Sequence, residues 1–235
     1  MEFERRKRLG ALEARIGYRF KELGLLDTAL THTSYVKGDG RASKHNERLE
    51  FLGDAVLELC ISEYLFTRNA RYNEGDMTRL RAQTVCEAAL FLVAKRLELG
   101  GLLLLGRGED HSGGREKPSI LSDAVEAVIG ALYIDGGMEV ARGFILSYIG
   151  GAVEEAVVDG PQKDYKTMLQ EYVQKRHMGQ IAYLLTGSTG PDHSKVFTME
   201  VTVASVPAGR GEGRTKQEAG QQAAKAALAS LGIID

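Results

Sequence analysis

A chain of 235 residues with a hydrophobic fraction of 43% has room for one large or two modest domains and enough apolar side chains for packed cores, so a globular, soluble protein is the default expectation. A formal net charge of −2 excludes a generally basic nucleic-acid coat. The mixed-charge start Met1-Glu2-Phe3-Glu4-Arg5-Arg6-Lys7-Arg8 has no apolar run behind it, which predicts neither a secretory signal nor a membrane span.

From Leu9 to Gly151 apolar positions recur at three and four, Gly punctuates and β-branched alternation is scarce, a helical pattern nearly throughout. The expected helices are 4–16, 22–30, 44–67, 74–81, 83–98, 119–135 and 138–157, with a Gly-rich loop from Gly100 to Lys117 anchored by Leu102 to Leu105. Cys60 and Cys86 sit among apolar neighbours without metal-ligand spacing and are expected as buried, reduced thiols of a cytoplasmic protein. Asp159-Gly160-Pro161 ends the last helix, since Gly favours a helix C-terminus and Pro cannot continue one. Beyond it the period changes to a helix at 163–176, a strand from Ile181 to Thr186, a turn at 187–192, a strand from Lys195 to Ala204, a short strand at 206–211 and an alanine-rich helix at 215–231. The expectation is multidomain: an all-α domain over 1–158, a linker at 159–162, and an α-β-β-β-α (α+β) domain over 163–235 whose three antiparallel strands carry both helices on one face. Charge follows the same division, with 21 Lys and Arg against 25 Asp and Glu in residues 1–160 and 9 against 7 in residues 161–235. A mildly basic module beside an acidic-site module suits binding plus metal-assisted cleavage of a polyanion.

The densest signal is Asn46-Glu47-Arg48-Leu49-Glu50-Phe51-Leu52-Gly53-Asp54. On a helix Glu47, Glu50 and Asp54 fall within about 60° of one another, while Leu49, Leu52, Val56 and Leu59 gather opposite as an expected core face. Like charges so spaced repel, which suggests a compensating cation, although most acidic stripes are simply solvated faces. Phe51 lies about 40° from Glu47, an apolar ring beside the carboxylates. A second acidic pair, Asp123 and Glu126, occurs in Ile120-Leu121-Ser122-Asp123-Ala124-Val125-Glu126-Ala127, and the two faces could converge on one cavity. Glu58 extends the stripe and is expected at the surface, and Asp76 is expected to serve a helix start rather than catalysis.

The signature at 46–54 resembles that of the ribonuclease III family, and Glu74-Gly75-Asp76-Met77 and the Asp123 to Glu126 pair stand where that family carries its remaining site carboxylates. The resemblance implies a homodimeric endonuclease that cuts double-stranded RNA with Mg²⁺, Mn²⁺ being able to substitute. It leaves 5′-phosphate and 3′-hydroxyl ends with a short 3′ overhang, in the processing of ribosomal and other structured RNA precursors. It further implies that Glu50, Asp54, Asp123 and Glu126 bind the metal, with Asp54 and Glu126 catalytic, that Glu47 and Glu74 shape the RNA groove, and that Phe51 enters a pocket on a partner subunit. Hard oxygen ligands of this kind suit Mg²⁺ independently of the resemblance. The alternative is a non-cleaving protein that binds or protects duplex RNA.

The C-terminal segment resembles a double-stranded RNA binding domain, which reads A-form shape through two minor grooves and the phosphates between them. Thr167, Gln170 and Gln174 recur at three and four on the first helix and can offer donors and acceptors to 2′-hydroxyls. The Pro191-Asp192-His193 turn matches the family's second minor-groove element, and Gly211-Glu212-Gly213-Arg214-Thr215-Lys216 places N–H groups and cations, Arg214 and Lys216, at a helix start suited to phosphate. Lys216-Gln217 stands where relatives commonly show consecutive lysines, with Arg214 and Lys225 as further cations. Gly209-Arg210-Gly211-Glu212-Gly213 lacks the βαβ context of a dinucleotide fingerprint.

Overall fold

Helix follows wherever the apolar period of three and four is sustained. The computed structural model describes residues 3–37, 44–68, 70–161, 164–191 and 194–234 and divides into two units, Met1–Pro161 and Gln162–Asp235. In the first unit the described helices are α1 (Phe3–Ile16), α2 (Leu23–Ala29), α3 (Thr33–Lys37), α4 (Glu47–Arg68), α5 (Glu74–Thr84), α6 (Glu87–Arg96), α7 (Arg107–His111), α8 (Pro118–Gly136) and α9 (Met138–Asp159).

Helix α8 is the axle of this unit. Pro118 occupies its first turn, where a missing N–H costs nothing, and Gly137 follows it at φ 82°, a backbone state that favours glycine. Its residues are apolar almost all round, and Leu121, Ala124, Val125, Val128, Ile129 and Leu132 are buried, as expected of a helix enclosed by its neighbours. Each fully buried Leu or Ile contributes about 1.5–3 kcal/mol.

Helix α4 crosses α8 where both lack side chains. A methyl group at Gly53 would overlap the Glu126 carbonyl, and one at Gly130 would overlap the Leu49 carbonyl. Glycine inside a helix costs about 1 kcal/mol against alanine, but here it lets two backbones touch. That contact sets how closely side chains one turn away on the two helices approach.

The sequence expectations need several corrections. Gly100 to Lys117 is not one loop: it holds short 3₁₀ turns at Leu99–Leu102 and Gly114–Glu116 flanking α7, tied together by Arg115, whose guanidinium donates to the carbonyls of Gly100 and Leu103, both at 2.9 Å. Cys60 is buried, but Cys86 is exposed, because it stands at the N-cap of α6 where the chain turns outward. Leu59 is 55% exposed; it lies on the meridian of half-buried Leu52, but there it lines an open cleft with Phe66, Met77 and Arg81. Asp76 serves the start of α5, its N–H donating to Asn73 Oδ1 at 2.9 Å and its carboxylate pairing with Arg79 at 2.7 Å. Glu58 pairs with Arg81 at 3.8 Å.

The second unit runs α10 (Tyr165–Lys175), β1 (Ile181–Thr189), β2 (Val196–Val203), β3 (Val206–Gly213) and α11 (Lys216–Ser230). Its antiparallel sheet has the order β1-β2-β3. Val201 and Val203 of the central strand face Leu169 and Val173 of α10 and Ala223, Ala224, Ala227 and Leu228 of α11 in one core. Strand β1 continues three residues past its expected end through a register shift between Leu185 and Gly187.

The glycine run finds its role here. Gly209, Gly211 and Gly213 alternate along β3, and a methyl at any of them would strike α11, at Ala223 and Ala227, at Ala223, and at Ala219 respectively. Strand and helix therefore pack backbone to backbone, the helix meeting these glycines with Ala219, Ala223 and Ala227 and with the near carbons of Glu218 and Gln222.

Candidate metal centre and nucleic-acid interface

The α4–α8 contact turns two separate acidic motifs into one cluster. Carboxylate oxygens of Glu50, Asp123 and Glu126 lie within 4.8 Å of one another, all three half-buried. Asp54, one turn beyond Glu50, is exposed and lies outside that trio. It is near enough to act on both Glu126 and Glu50 through its charge. Burial, then the charges of Asp54, Asp123 and Glu50, push the Glu126 carboxyl up to about 7. Burial and the charges of Asp123, Glu47 and Asp54 likewise raise Glu50. Asp123 is raised by burial, against the opposing influence of His32 and with a further push from Glu87.

Like charges held together in a half-dry site cost free energy unless a cation compensates them. The donor set is wholly carboxylate oxygen, the chemistry that a hard divalent cation accepts while keeping its waters. The residues present therefore fit a metal of the Mg²⁺ type.

Glu47 is exposed at the start of α4, 3.7 Å from His45 Nδ1. Glu74 is exposed at the start of α5, where it lines the cleft of about 470 Å³ that also holds Leu59, Phe66, Met77 and Arg81. Phe51 projects from α4 at 80% exposure, and Leu59 and Phe66 are exposed further along the same helix.

His32 escaped the sequence reading because a lone histidine carries no spacing signal. Its backbone is fixed by donation to the Leu104 carbonyl at 3.0 Å, beside a bridge between Thr31 and Leu104. Ser34 Oγ accepts the Gly106 N–H at 2.9 Å and lies 2.7 Å from His32 Nδ1, so its own hydrogen goes to that nitrogen, which also accepts the Ser34 N–H at 3.2 Å. The neutral ring consequently carries its proton on Nε2, and its charge when protonated favours ionised Asp123.

In the second unit α10 buries Leu169 and Val173 and exposes Thr167, Gln170 and Gln174 on its other side. Asp164 caps this helix: its Oδ1 accepts the Thr167 N–H at 3.1 Å and its Oδ2 the Thr167 hydroxyl at 2.7 Å. Arg214 and Lys216 are exposed at the start of α11. There Thr215 Oγ1 accepts the Glu218 N–H at 3.0 Å and Glu218 accepts the Arg214 N–H at 2.8 Å, a side-chain exchange that fixes the helix start. Lys225 Nζ lies 5.6 Å from the centre of the Tyr165 ring. His193, with Asp192, lies outside the described residues.

Among the described residues no helix is long and apolar enough to cross a membrane.

Comparison with known proteins follows the same two-unit division. Residues 22–152 match the family model described as Ribonuclease-III-like, and residues 165–231 match that of the double-stranded RNA binding motif. The chain is 50% identical over 220 residues to Ribonuclease 3 of Heliobacterium modesticaldum, covering 92% of each chain. It is 47% identical over 222 residues to Ribonuclease 3 of Pelotomaculum thermopropionicum, covering 94% of this chain and 92% of the relative. A solved nuclease domain of ribonuclease III from Campylobacter jejuni, described as flexible in a region involved in dimer formation, superposes with a TM-score of 0.56 at 47% identity over 60% of this chain and 94% of that one.

Proposed function

The chain belongs to the ribonuclease III family and is an endoribonuclease of double-stranded RNA; from that premise we propose that it hydrolyses the duplex with Mg²⁺, leaving 5′-phosphate and 3′-hydroxyl ends with short 3′ overhangs. The observation that carries this reading is the convergence of Glu50, Asp123 and Glu126 from two helices through a glycine contact. A protein that only bound or protected duplex RNA would have no use for that arrangement.

Glu50, Asp123 and Glu126 hold the metal, and Asp54 completes the set from the exposed side. When bound, the cation supplies a nucleophile at neutral pH and neutralises charge on the leaving oxygen; Mn²⁺, another hard ion, substitutes. The protein's own residues do the rest. Their helices are locked in backbone contact, so the carboxylates are held in place before substrate arrives and need no reorganisation. Glu126, the carboxyl raised to about 7, would release its proton to solvent when a cation is bound there, and His32 stands near enough to Asp123 to favour its ionised form. Glu47 and Glu74 flank the path of the RNA.

Phe51 is the ground for proposing a homodimer. An aromatic ring 80% exposed on a helix, continued by Leu59 and Phe66, is an anchor without a socket in a single chain. Two equivalent centres related by a twofold axis would cut both strands of a duplex. The second unit captures the duplex with Thr167, Gln170 and Gln174 at one minor groove, His193 at the next, and Arg214 and Lys216 on phosphates. The expected setting is the cytoplasm, and the expected substrates are ribosomal and other structured RNA precursors. Incubation of the purified chain with a long perfect RNA duplex tests the reading: short duplex fragments should accumulate with Mg²⁺ and not with EDTA, and an intact duplex in both would overturn it.

A further inference from the structure

Asp164 is more than a helix cap, because of what Gln221 does to it. Gln221 of α11 donates from Nε2 to Asp164 Oδ1 at 2.9 Å and accepts the Lys166 N–H on Oε1 at 3.2 Å. Asp164 Oδ1 therefore receives two donors, Gln221 Nε2 and the Thr167 N–H, and is pinned in place. Oδ2 is left facing the Thr167 hydroxyl at 2.7 Å. Lys166 ties α10 to its neighbours: its Nζ lies 4.5 Å from the centre of the Tyr183 ring of β1, and the end of its side chain fills the space left by the missing side chain of Gly220 in α11.

An ionised carboxylate only accepts, so the single hydrogen of the Thr167 hydroxyl must go to Asp164. Although burial works against the charge, the bonds from Gln221 and Thr167 hold the Asp164 carboxyl below its ordinary value, so it remains ionised at neutral pH. Thr167 is exposed, and what it turns outward is a lone pair.

We propose that Asp164 and Gln221 are positioning residues that fix the Thr167 hydroxyl as a pure hydrogen-bond acceptor, so that this point of α10 demands a donor from the nucleic acid. A 2′-hydroxyl supplies that donor; a 2′-deoxy or 2′-fluoro sugar does not. The inference rests on the reading that α10 lies in a minor groove, and it deepens that reading by giving the contact a direction.

The test uses the full chain in EDTA, with affinity measured by fluorescence anisotropy on two A-form duplexes of one sequence, all-RNA and 2′-fluoro RNA. Asp164→Asn is the informative variant. Asn remains a good N-cap, and with Oδ1 still pinned by two donors its amide nitrogen replaces Oδ2 and donates to Thr167, turning the hydroxyl hydrogen outward. The preference for RNA over 2′-fluoro RNA should fall about fivefold, the worth of one ordinary hydrogen bond, while any loss of melting temperature is common to the protein on both duplexes and leaves that ratio untouched. Gln221→Met, which unpins Oδ1 without touching Thr167, should reduce the preference by about twofold. Thr167→Val is the control on the underlying reading. If Thr167→Val lowers the preference while Asp164→Asn and Gln221→Met keep the wild-type ratio, the positioning role is overturned and the minor-groove reading stands. If Thr167→Val leaves the ratio unchanged, both are overturned.

Discussion

Two carboxyl sites in this protein are pushed in opposite directions. Glu126 sits among Glu50, Asp54 and Asp123 and is raised to about 7, whereas Asp164 sits among donors and is held below its ordinary value. The first is a charge the fold has assembled and left unsatisfied. The second is fully occupied by neighbours of its own chain. An unsatisfied site marks where a ligand must bring charge, while a satisfied one marks where the surface is made rigid so that shape can be read. Glycine serves both: at Gly53 and Gly130 it brings like charges together, and at Gly209, Gly211 and Gly213 it seats a helix flat on a sheet.

The strongest challenge to this contrast is chemical. Glu126→Gln keeps the shape and removes one metal charge, so cleavage should fall by about 10³-fold or more while duplex affinity is retained. Single-turnover assays in limiting Mg²⁺ decide it, and near-normal rates would remove Glu126 from the centre. Next in size is assembly. Phe51→Ala should weaken association by about 2–4 kcal/mol, in the range of an interface hot spot. Sedimentation at micromolar concentration would contradict the assignment if wild type ran as a monomer or the variant dimerised equally well.

Stability against pH separates the two sites directly. A carboxyl raised in the folded state contributes stability that is full below its unfolded value of 4.5 and is lost as pH rises through about 7. Asp164 does the reverse, its contribution being present above 3.8 and lost as pH falls through its lowered value. Melts in EDTA should therefore show the first unit weakening between pH 5 and pH 8, with Mg²⁺ protecting most at the upper end. Equal Mg²⁺ protection at both ends would refute the unsatisfied-charge picture. The smallest expected effect lies on the satisfied side: Lys216→Ala should weaken binding to all duplexes alike and reduce the salt slope by about 1. An unchanged slope, read from affinities at several salt concentrations, would take Lys216 off the phosphates.

The acid stripe was legible because spacing at three and four is a local signal, and so were the helices around it and the α-β-β-β-α order. What pairs with what was not. Glu50 and Glu126 are far apart in sequence, and no period announces that Gly53 will meet Glu126. The glycines of β3 were visible only as something other than a nucleotide fingerprint, since their meaning lies in the helix opposite. Cys86 and Leu59 were misjudged for one reason: apolar neighbours in sequence say nothing of whether another element covers that turn. Ser34, which decides the proton of His32, became meaningful only once Gly106 was beside it.

Strand β3 carries a consequence for folding. A segment with glycine at alternate positions loses much backbone freedom on ordering and has few side chains to stabilise it alone. Its order is borrowed from α11, whose buried residues are mostly Ala and Gly and which packs its backbone directly on the glycines of β3. Strand and helix should therefore open and close as one cooperative unit. In native-state hydrogen exchange, protected amides of β3 and of Ala223 and Ala227 in α11 should share a single opening free energy, and a substitution on either element should shift both together.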